Sequence, residues 1–274
     1  MLRQLRRLNA SILTLTAINF VSSLGIAIML PLIPLYAISL GAAPVQLGLL
    51  TSAFALANAV AQLGGGLAVD RLGARGLIRG GIATYAGANV LIATATTAPV
   101  LIGYRTLAGL GAGVNLISSR LYLAQIADPA HMAFVNGVIS AAYSAGQVIG
   151  PAFGGIITAL ANLRLPFLLV GATSGLAFLG ALLLRRPNAT TPDPAAGPEP
   201  EGSIASILNR SALVLLLAQL CLLAGYGGFI TTYAPLATQI LGWSTFEVAF
   251  AFSSFGLGSI VLGPWLAHLA DRTG

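Results

Sequence analysis

Residues 66–75 read Gly-Leu-Ala-Val-Asp-Arg-Leu-Gly-Ala-Arg and lie between two long apolar runs. The core of this stretch, Asp70-Arg71-x-Gly73, returns 201 residues later as Asp271-Arg272-x-Gly274. Aligning 34–73 with 235–274 needs no gap and pairs Pro34/Pro235, Leu35/Leu236, Leu40/Leu241, Gly41/Gly242, Ser52/Ser253, Phe54/Phe255, Leu56/Leu257, Val60/Val261, Asp70/Asp271, Arg71/Arg272 and Gly73/Gly274. Apolar composition accounts for some leucine coincidences but not for a charged turn recurring at the end of the matching run. Repetition of a hydrophobic unit is a mark of many secondary transporters.

Working outward, about 20 apolar residues are needed for a helix to cross a bilayer core of about 30 Å. Eight stretches meet that need, at 10–36, 45–68, 77–97, 99–121, 134–160, 166–184, 211–237 and 246–268. The third and fourth are separated by the short turn Thr96-Thr97-Ala98-Pro99. The first follows Arg3, Arg6 and Arg7, yet its apolar run exceeds the 7–15 residues of a signal core, so it is expected to be a retained helix. The expected class is an all-α integral membrane bundle.

Composition agrees. The 274 residues are 57% hydrophobic and 7% charged, with a mean hydropathy of +0.90. A water-soluble domain carries about 25% charged residues, which excludes a soluble enzyme and a disordered chain. All 13 basic residues are arginine, scattered in ones to threes, so no concentrated basic face exists for nucleic acid. With the N-terminus inside, Arg3, Arg6, Arg7, Arg71, Arg75, Arg79, Arg120, Arg185, Arg186, Arg210 and Arg272 fall on the inner side and Arg164 on the outer. This asymmetry predicts a multi-pass cell-membrane protein with a cytoplasmic N-terminus. One cysteine, Cys221, and two distant histidines, His131 and His268, show no metal-ligand spacing, and no cofactor is expected. No catalytic triad or acid pair lies at membrane depth, so no enzyme is expected.

The long polar stretch near the middle, RRPNATTPDPAAGPEPEGS from Arg185, reads as a flexible linker. The expected organisation is a six-helix bundle over 1–184, a linker over 185–205 and two helices of a second bundle over 206–274. On the repeat arithmetic, a complete second unit would carry the chain to roughly 400 residues. The chain is therefore expected to be a shortened one, inactive on its own.

Four further features carry chemistry. In the 66–75 turn, Gly66 is expected to let two helices approach, Gly73 to permit the turn, Asp70 to sit near the next helix N-terminus, and Arg71 and Arg75 to anchor the loop. In the fourth span, Arg105-x3-Gly109-x-Gly111 places an arginine inside the membrane, where a cation normally faces a cavity or a partner. The fifth span reads Gly137-x8-Gly146-x3-Gly150-Pro151-x2-Gly154-Gly155, a spacing whose chance occurrence is roughly one in a million per start position. Its glycines predict a close helix contact, and Pro151 a bend. The first span contains Gly25-x5-Pro31-x2-Pro34.

With these four motifs the chain resembles the major facilitator superfamily, in its twelve-helix drug:proton antiporter branch. The resemblance covers nearly all 274 residues. One departure is Gly76, where the family usually has a second basic residue. The resemblance implies alternating access of a central cavity, proton-driven efflux of a small solute, a gating role for the 66–75 loop, proton coupling near Arg105, and antiport from the fifth-span glycines.

No Asp or Glu lies well inside spans 1 to 7, and Glu247 opens the eighth beside Trp243. Glu247 is thus the acidic candidate for proton coupling, or else an interfacial acid. Asn19, Asn115, Gln147, Gln219, Tyr226 and Tyr233 are expensive facing lipid and are the cavity candidates, with helix-to-helix hydrogen bonding the competing role. A cavity without fixed negative charge favours a neutral or lipophilic solute. Two alternatives remain at this level: uptake or exchange of a small metabolite such as a sugar or amino acid, and a membrane scaffold that transports nothing.

Overall fold

The computed structural model describes residues 10–128, 131–185 and 210–254. Regular structure in these residues is helical. α1 spans Ala10–Ser39, α2 Pro44–Leu72, α3 Ala74–Ala93, α4 Ala98–Ile126, α5 Met132–Leu160, α6 Leu165–Leu182 and α7 Arg210–Gln239. An eighth helix, α8, starts at 245 and is described to 254. Lipid offers no hydrogen-bond partner to a peptide group, so a helix that pairs each N–H with its own segment is what such apolar runs adopt. The expected bundle is therefore found. Most of the expected linker and the second copy of the charged turn, at 271–274, lie outside the described residues.

One expected boundary needs correction. The break between the third and fourth falls at 94–97, because Ala98 and Pro99 form the first turn of α4, where proline's missing N–H has no intrahelical partner to lose. By length and composition, α1, α2, α4, α6 and α7 stand out as apolar enough to cross a membrane. Arg75 and Arg79 lower the hydropathy of α3, which is packed against both α4 and α6. On α5, Asn136, Ser140, Tyr143 and Ser144 turn toward a cavity instead of lipid.

Successive helices alternate in direction, so one end of the bundle gathers Arg71, Arg75, Arg79, Arg120 and Arg185 and the far end holds Arg164. α1 packs along α5 and α6, α4 along α2 and α3, and α3 along α6. The core divides in two. Met29, Leu32, Tyr36, Leu50, Ile92, Leu101 and Phe167 fill the far half; Leu15, Ile18, Ile78, Ile82, Tyr122 and Leu184 fill the arginine-rich half. Between them runs a belt of buried polar side chains: Asn19, Ser23, Asn115, Ser118 and Ser119.

Helix ends are tied by side chains from neighbouring helices. Arg75 Nη1 donates to Leu184 O (3.0 Å), Arg79 Nε to Ala181 O (3.1 Å) and Arg79 Nη2 to Leu182 O (2.9 Å). Tyr122 Oη donates to Arg185 O (2.8 Å). These bonds satisfy C-terminal carbonyls of α6 that no further helical turn can reach. At the far end, Tyr36 Oη does the same for α3 through Ala95 O (3.0 Å).

Where both copies of the repeated segment are described, over 34–53 and 235–254, they adopt one local geometry. α1 and α7 each run for 30 residues with Pro34 and Pro235 inside them. Each leads into a glycine in the left-handed region, Gly41 at φ +76° and Gly242 at φ +69°. α2 and α8 then open alike, as described below.

The fifth-span glycines divide by what they face. A Cβ on Gly150 would stand 2.6 Å from Ala27 Cβ and 2.9 Å from Leu24 O, and one on Gly146 2.8 Å from Leu24 N, so both lie flush against α1. Gly154 touches α1 at Ile28, Gly155 faces Ala249 on α8, and Gly137 opens onto free space. Gly150→Ala is therefore expected to destabilise by about 1–3 kcal/mol, as overpacking does. Gly137→Ala should be neutral or stabilising by up to about 1 kcal/mol, since alanine is the better helix former. Thermal unfolding of the detergent-solubilised protein checks the pair, and equal shifts in both variants would refute this assignment of faces.

Candidate functional site

The polar belt opens into a recess. A cavity of about 470 Å³ is lined by Asn19, Ser22 and Ile26 of α1, Phe54, Asn58 and Gln62 of α2, Tyr85 of α3, Asn115 of α4, Tyr143 of α5 and Leu223 of α7. A second cavity of about 300 Å³ shares Asn19, Leu116 and Tyr143 with the first and extends toward the arginine-rich end past Ser119, Arg120, Asn136 and Ser140. Together they run from mid-bundle toward that end.

α7 and α8 shut the opposite side. Thr51 Oγ1 of α2 and Thr231 Oγ1 of α7 are 3.0 Å apart. Leu35 of α1 packs on Ala234, Ala237 and Val248. The Ala152 amide donates to Ser253 Oγ (2.9 Å), just after Pro151, which has no N–H of its own and loosens the α5 ladder there. All these contacts sit near the far end. Along 213–225, by contrast, α7 presents exposed side chains, so the helices part toward the arginine-rich end.

Arg105 lies about 10 Å into α4 from its far-end start, at 1.5 Å per residue. It is 6% exposed. Its guanidinium carbon stands 4.2 Å over the Phe54 ring, and Nη1 is 3.7 Å from Met29 Sδ, a weak acceptor. The glycines that follow let the neighbouring helices close around it. A Cβ on Gly109 would stand 2.5 Å from Phe54 O on α2, and one on Gly111 2.5 Å from Tyr85 N on α3.

The sequence candidates distribute unevenly. Asn19 and Asn115 line the larger cavity; Asn19 Nδ2 donates to Leu15 O (2.9 Å) and Asn115 Nδ2 to Ser22 Oγ (3.3 Å). Gln147 Nε2 donates to Tyr143 Oη (3.2 Å), one step behind the wall. Tyr233 packs with tilted rings against Phe229 and Phe252, while Gln219 and Tyr226 lie on α7 outside the lining of these two cavities, Tyr226 facing a separate recess with Cys221 and Phe229. The sequence reading missed Phe54, Asn58, Gln62, Tyr85 and Tyr143. Asn58 and Gln62 were findable, since they are spaced i, i+4 and Gln62 Nε2 donates to Asn58 Oδ1 (2.6 Å).

The 66–75 turn also differs in detail. The close helix approach falls on Gly65, where a Cβ would meet Ile117 Cγ2 at 2.8 Å, whereas Gly66 faces open space. Gly73 takes φ +71°, a turn that any Cβ would strain. Asp70 is exposed in the last turn of α2, and Arg71 is exposed beside it. Arg75 anchors α6, as described. In the first span, Gly25 meets Val170 of α6, and α1 remains helical through the buried Pro31 and Pro34.

Glu247 is exposed at the start of α8. It accepts from Ser244 N (2.7 Å) and Ser244 Oγ (2.8 Å), while its own amide donates to Ser244 Oγ (3.3 Å), a closed capping box. Its repeat mate, Gln46, accepts from Ala43 N (2.8 Å) at the start of α2.

A family model described as Major Facilitator Superfamily matches residues 15–274. The chain belongs to the Major Facilitator Superfamily. It is a multi-pass membrane protein of a transporter family, not an enzyme family. Quinolone resistance protein NorA of Staphylococcus aureus is 28% identical over 252 residues, covering 91% of this chain and 64% of that protein. An uncharacterised MFS-type transporter of Methanocaldococcus jannaschii is 27% identical over 176 residues, 64% of this chain and 44% of that one. This superfamily chain thus spans less than two thirds of the length of the curated relatives it matches. Among solved structures, a bacterial homologue of the human lysosomal transporter Spinster, inward-facing and unoccupied, superposes with a TM-score of 0.81 at 19% identity, over 96% of this chain and 62% of that one. The nucleoside transporter NupG gives 0.71 at 16% identity, over 97% and 68%. These two likenesses establish the fold.

Cross-linking tests the closed end. With Cys221 replaced by Ser, Thr51→Cys and Thr231→Cys together are expected to form a disulfide under mild oxidation, as their hydroxyls now stand at contact distance. A double variant that stays fully reduced would show that this end stands open.

Proposed function

We propose that the protein is a secondary transporter that exports a small solute in exchange for protons by alternating access. The observation carrying this reading is the recess at the polar belt, shut at one end by α7 and α8 and parted toward the other. A site near mid-membrane that helices of two bundles can uncover from either side is what alternating access requires. The arginine excess puts the parted end and the N-terminus in the cytoplasm, which makes this an inward-facing state. The quinolone resistance relative favours drug efflux over uptake, because the nucleoside and sugar transporters share this fold at only 13–16% identity.

In this reading the 66–75 turn works as a gate element through exposed Asp70 and Arg71. Gly146, Gly150 and Gly154 hold α5 on α1, and Gly155 with Pro151 forms the contact with α8 that must break when the far end opens. Arg105 is the buried charged side chain among the described residues and the residue through which coupling would act. Glu247 serves as a helix cap, in the manner of Gln46.

Everted membrane vesicles from cells that make this chain together with a C-terminal segment completing the second bundle test this function, since the chain by itself is expected to be inactive. Respiration acidifies their lumen, and a lipophilic fluorescent solute is expected to accumulate inside until a proton-exchanging ionophore collapses the gradient. Accumulation indifferent to the gradient would overturn proton antiport. Glu247→Gln should leave the rate and its pH profile unchanged, while Arg105→Gln should abolish the gradient-driven component. Loss of coupling in Glu247→Gln would return that residue to the proton path.

A further inference from the structure

α8 lies on α5 through a small set of contacts. The Ala152 amide donates to Ser253 Oγ (2.9 Å). A Cβ on Gly155 would stand 2.5 Å from Ala249 Cβ and 3.4 Å from Phe246 Cα, so the two helices touch closely there. The 201-residue repeat puts Val45, Gly48 and Ser52 of α2 where α8 has Phe246, Ala249 and Ser253. The backbone keeps this correspondence: Gly41 and Gly242 share the left-handed turn, and Gln46 and Glu247 cap the two helices alike. α2 therefore carries its own version of the face that α8 lays on α5.

On α2 that face is uncovered among the described residues. Val45 is 74% exposed, Ser52 is exposed, and a Cβ on Gly48 would meet nothing within 4 Å. The open strip continues at helical spacing through Ala55, Ala59 and Leu63. Ser52 lies about 12 Å into α2, at 1.5 Å per residue, where a hydroxyl turned toward acyl chains has no water to bond. Gly48 is smaller than Ala249, so it admits a helix at least as close. The strip also adjoins an interface already formed, because Thr51, next to Ser52, meets Thr231 of α7. A second copy of the chain does not offer the matching surface, since the Ala152 and Gly155 face of its α5 is taken by its own α8.

We propose that this strip of α2 seats a further membrane helix of the α5 kind, belonging to the second bundle, with a small residue against Gly48 and a main-chain amide donating to Ser52 Oγ. Ser52 and Ser253 then form a pair of latches at the far end, each accepting one amide from the opposite bundle. The inference concerns how the bundles hold each other and is independent of solute and coupling ion.

α5 itself serves as the probe. The chain with Cys221→Ser and Ser52→Cys is placed in lipid nanodiscs with a synthetic peptide of residues 132–160 that carries Ala152→Cys. Mild oxidation is expected to join the two about tenfold faster than it joins the peptide to a chain with Ala172→Cys, a rate ratio that about 1.4 kcal/mol of specific docking supplies. Ala172 is exposed at a similar depth on α6. Gly48→Leu in the chain, or Gly155→Leu in the peptide, should slow the reaction about tenfold, as overfilling a packed contact does. Gly48→Leu should leave the thermal unfolding of the chain unchanged, because Gly48 faces open space. Equal rates at the Ser52 and Ala172 positions, or an undiminished rate in Gly48→Leu, would overturn the seat. Ser52→Cys chains that join one another in preference to the peptide would overturn the assigned occupant in favour of a second copy. None of these readouts involves transport, so the seat and the export reading fail separately.

Discussion

Lipid cannot hydrogen-bond to a peptide group, and most of this molecule follows from that constraint. It forces each apolar run to close its backbone bonds internally, and so makes every crossing segment a helix. It also removes the usual drive for helices to associate, since a leucine is as well placed against an acyl chain as against another leucine. What remains is contact at short range. α4 touches α2 through Gly109 and α3 through Gly111, and α5 lies on α1 through Gly146 and Gly150. Where side chains shrink to hydrogen, backbones come close enough for dispersion to hold the bundle.

The same constraint explains where polar groups collect. The ends of α3 and α6 would expose carbonyls near the membrane boundary, and Tyr36, Arg75, Arg79 and Tyr122 reach across from other helices to satisfy them. In the interior, Asn19, Ser23, Asn115, Ser118 and Ser119 form a belt between two apolar halves, and the recess lies along it. Water or solute at that depth needs such partners. The belt and the cavity are therefore one feature. α7 and α8 meet the first bundle at the far end through Thr51–Thr231 and Ala152–Ser253, contacts of a kind that one hydrogen bond at a time can release.

The helical class, the alternation of helix direction and the repeat were legible because each rests on local chemistry. Apolar runs of about 20 residues declare spans. Gly41 and Gly242 both end a helix at positive φ, and Gln46 and Glu247 both cap the next one, so the 201-residue offset seen in the letters is also seen in the backbone. Less of the chamber could be read. Asn19 and Asn115 were named because amides stand out in an apolar run, but Gln219 stands out equally and lines neither cavity. Rarity of a polar residue does not tell which way its helix is turned.

Sequence alone determined that the chain dwells in lipid, that it crosses repeatedly, and that close helix contacts fall on its glycine motifs, because hydropathy, chain length and the absence of a side chain are properties of residues taken singly or in short runs. Tertiary structure decided which glycine of a pair is used, as at Gly65 rather than Gly66. It also decided that Arg75 serves α6 and Glu247 its own helix, and that Phe54, Tyr85 and Arg105 converge from three helices. Such outcomes depend on the rotation of each helix about its axis. That rotation is set by the summed packing of neighbours distant in sequence, which no local pattern encodes.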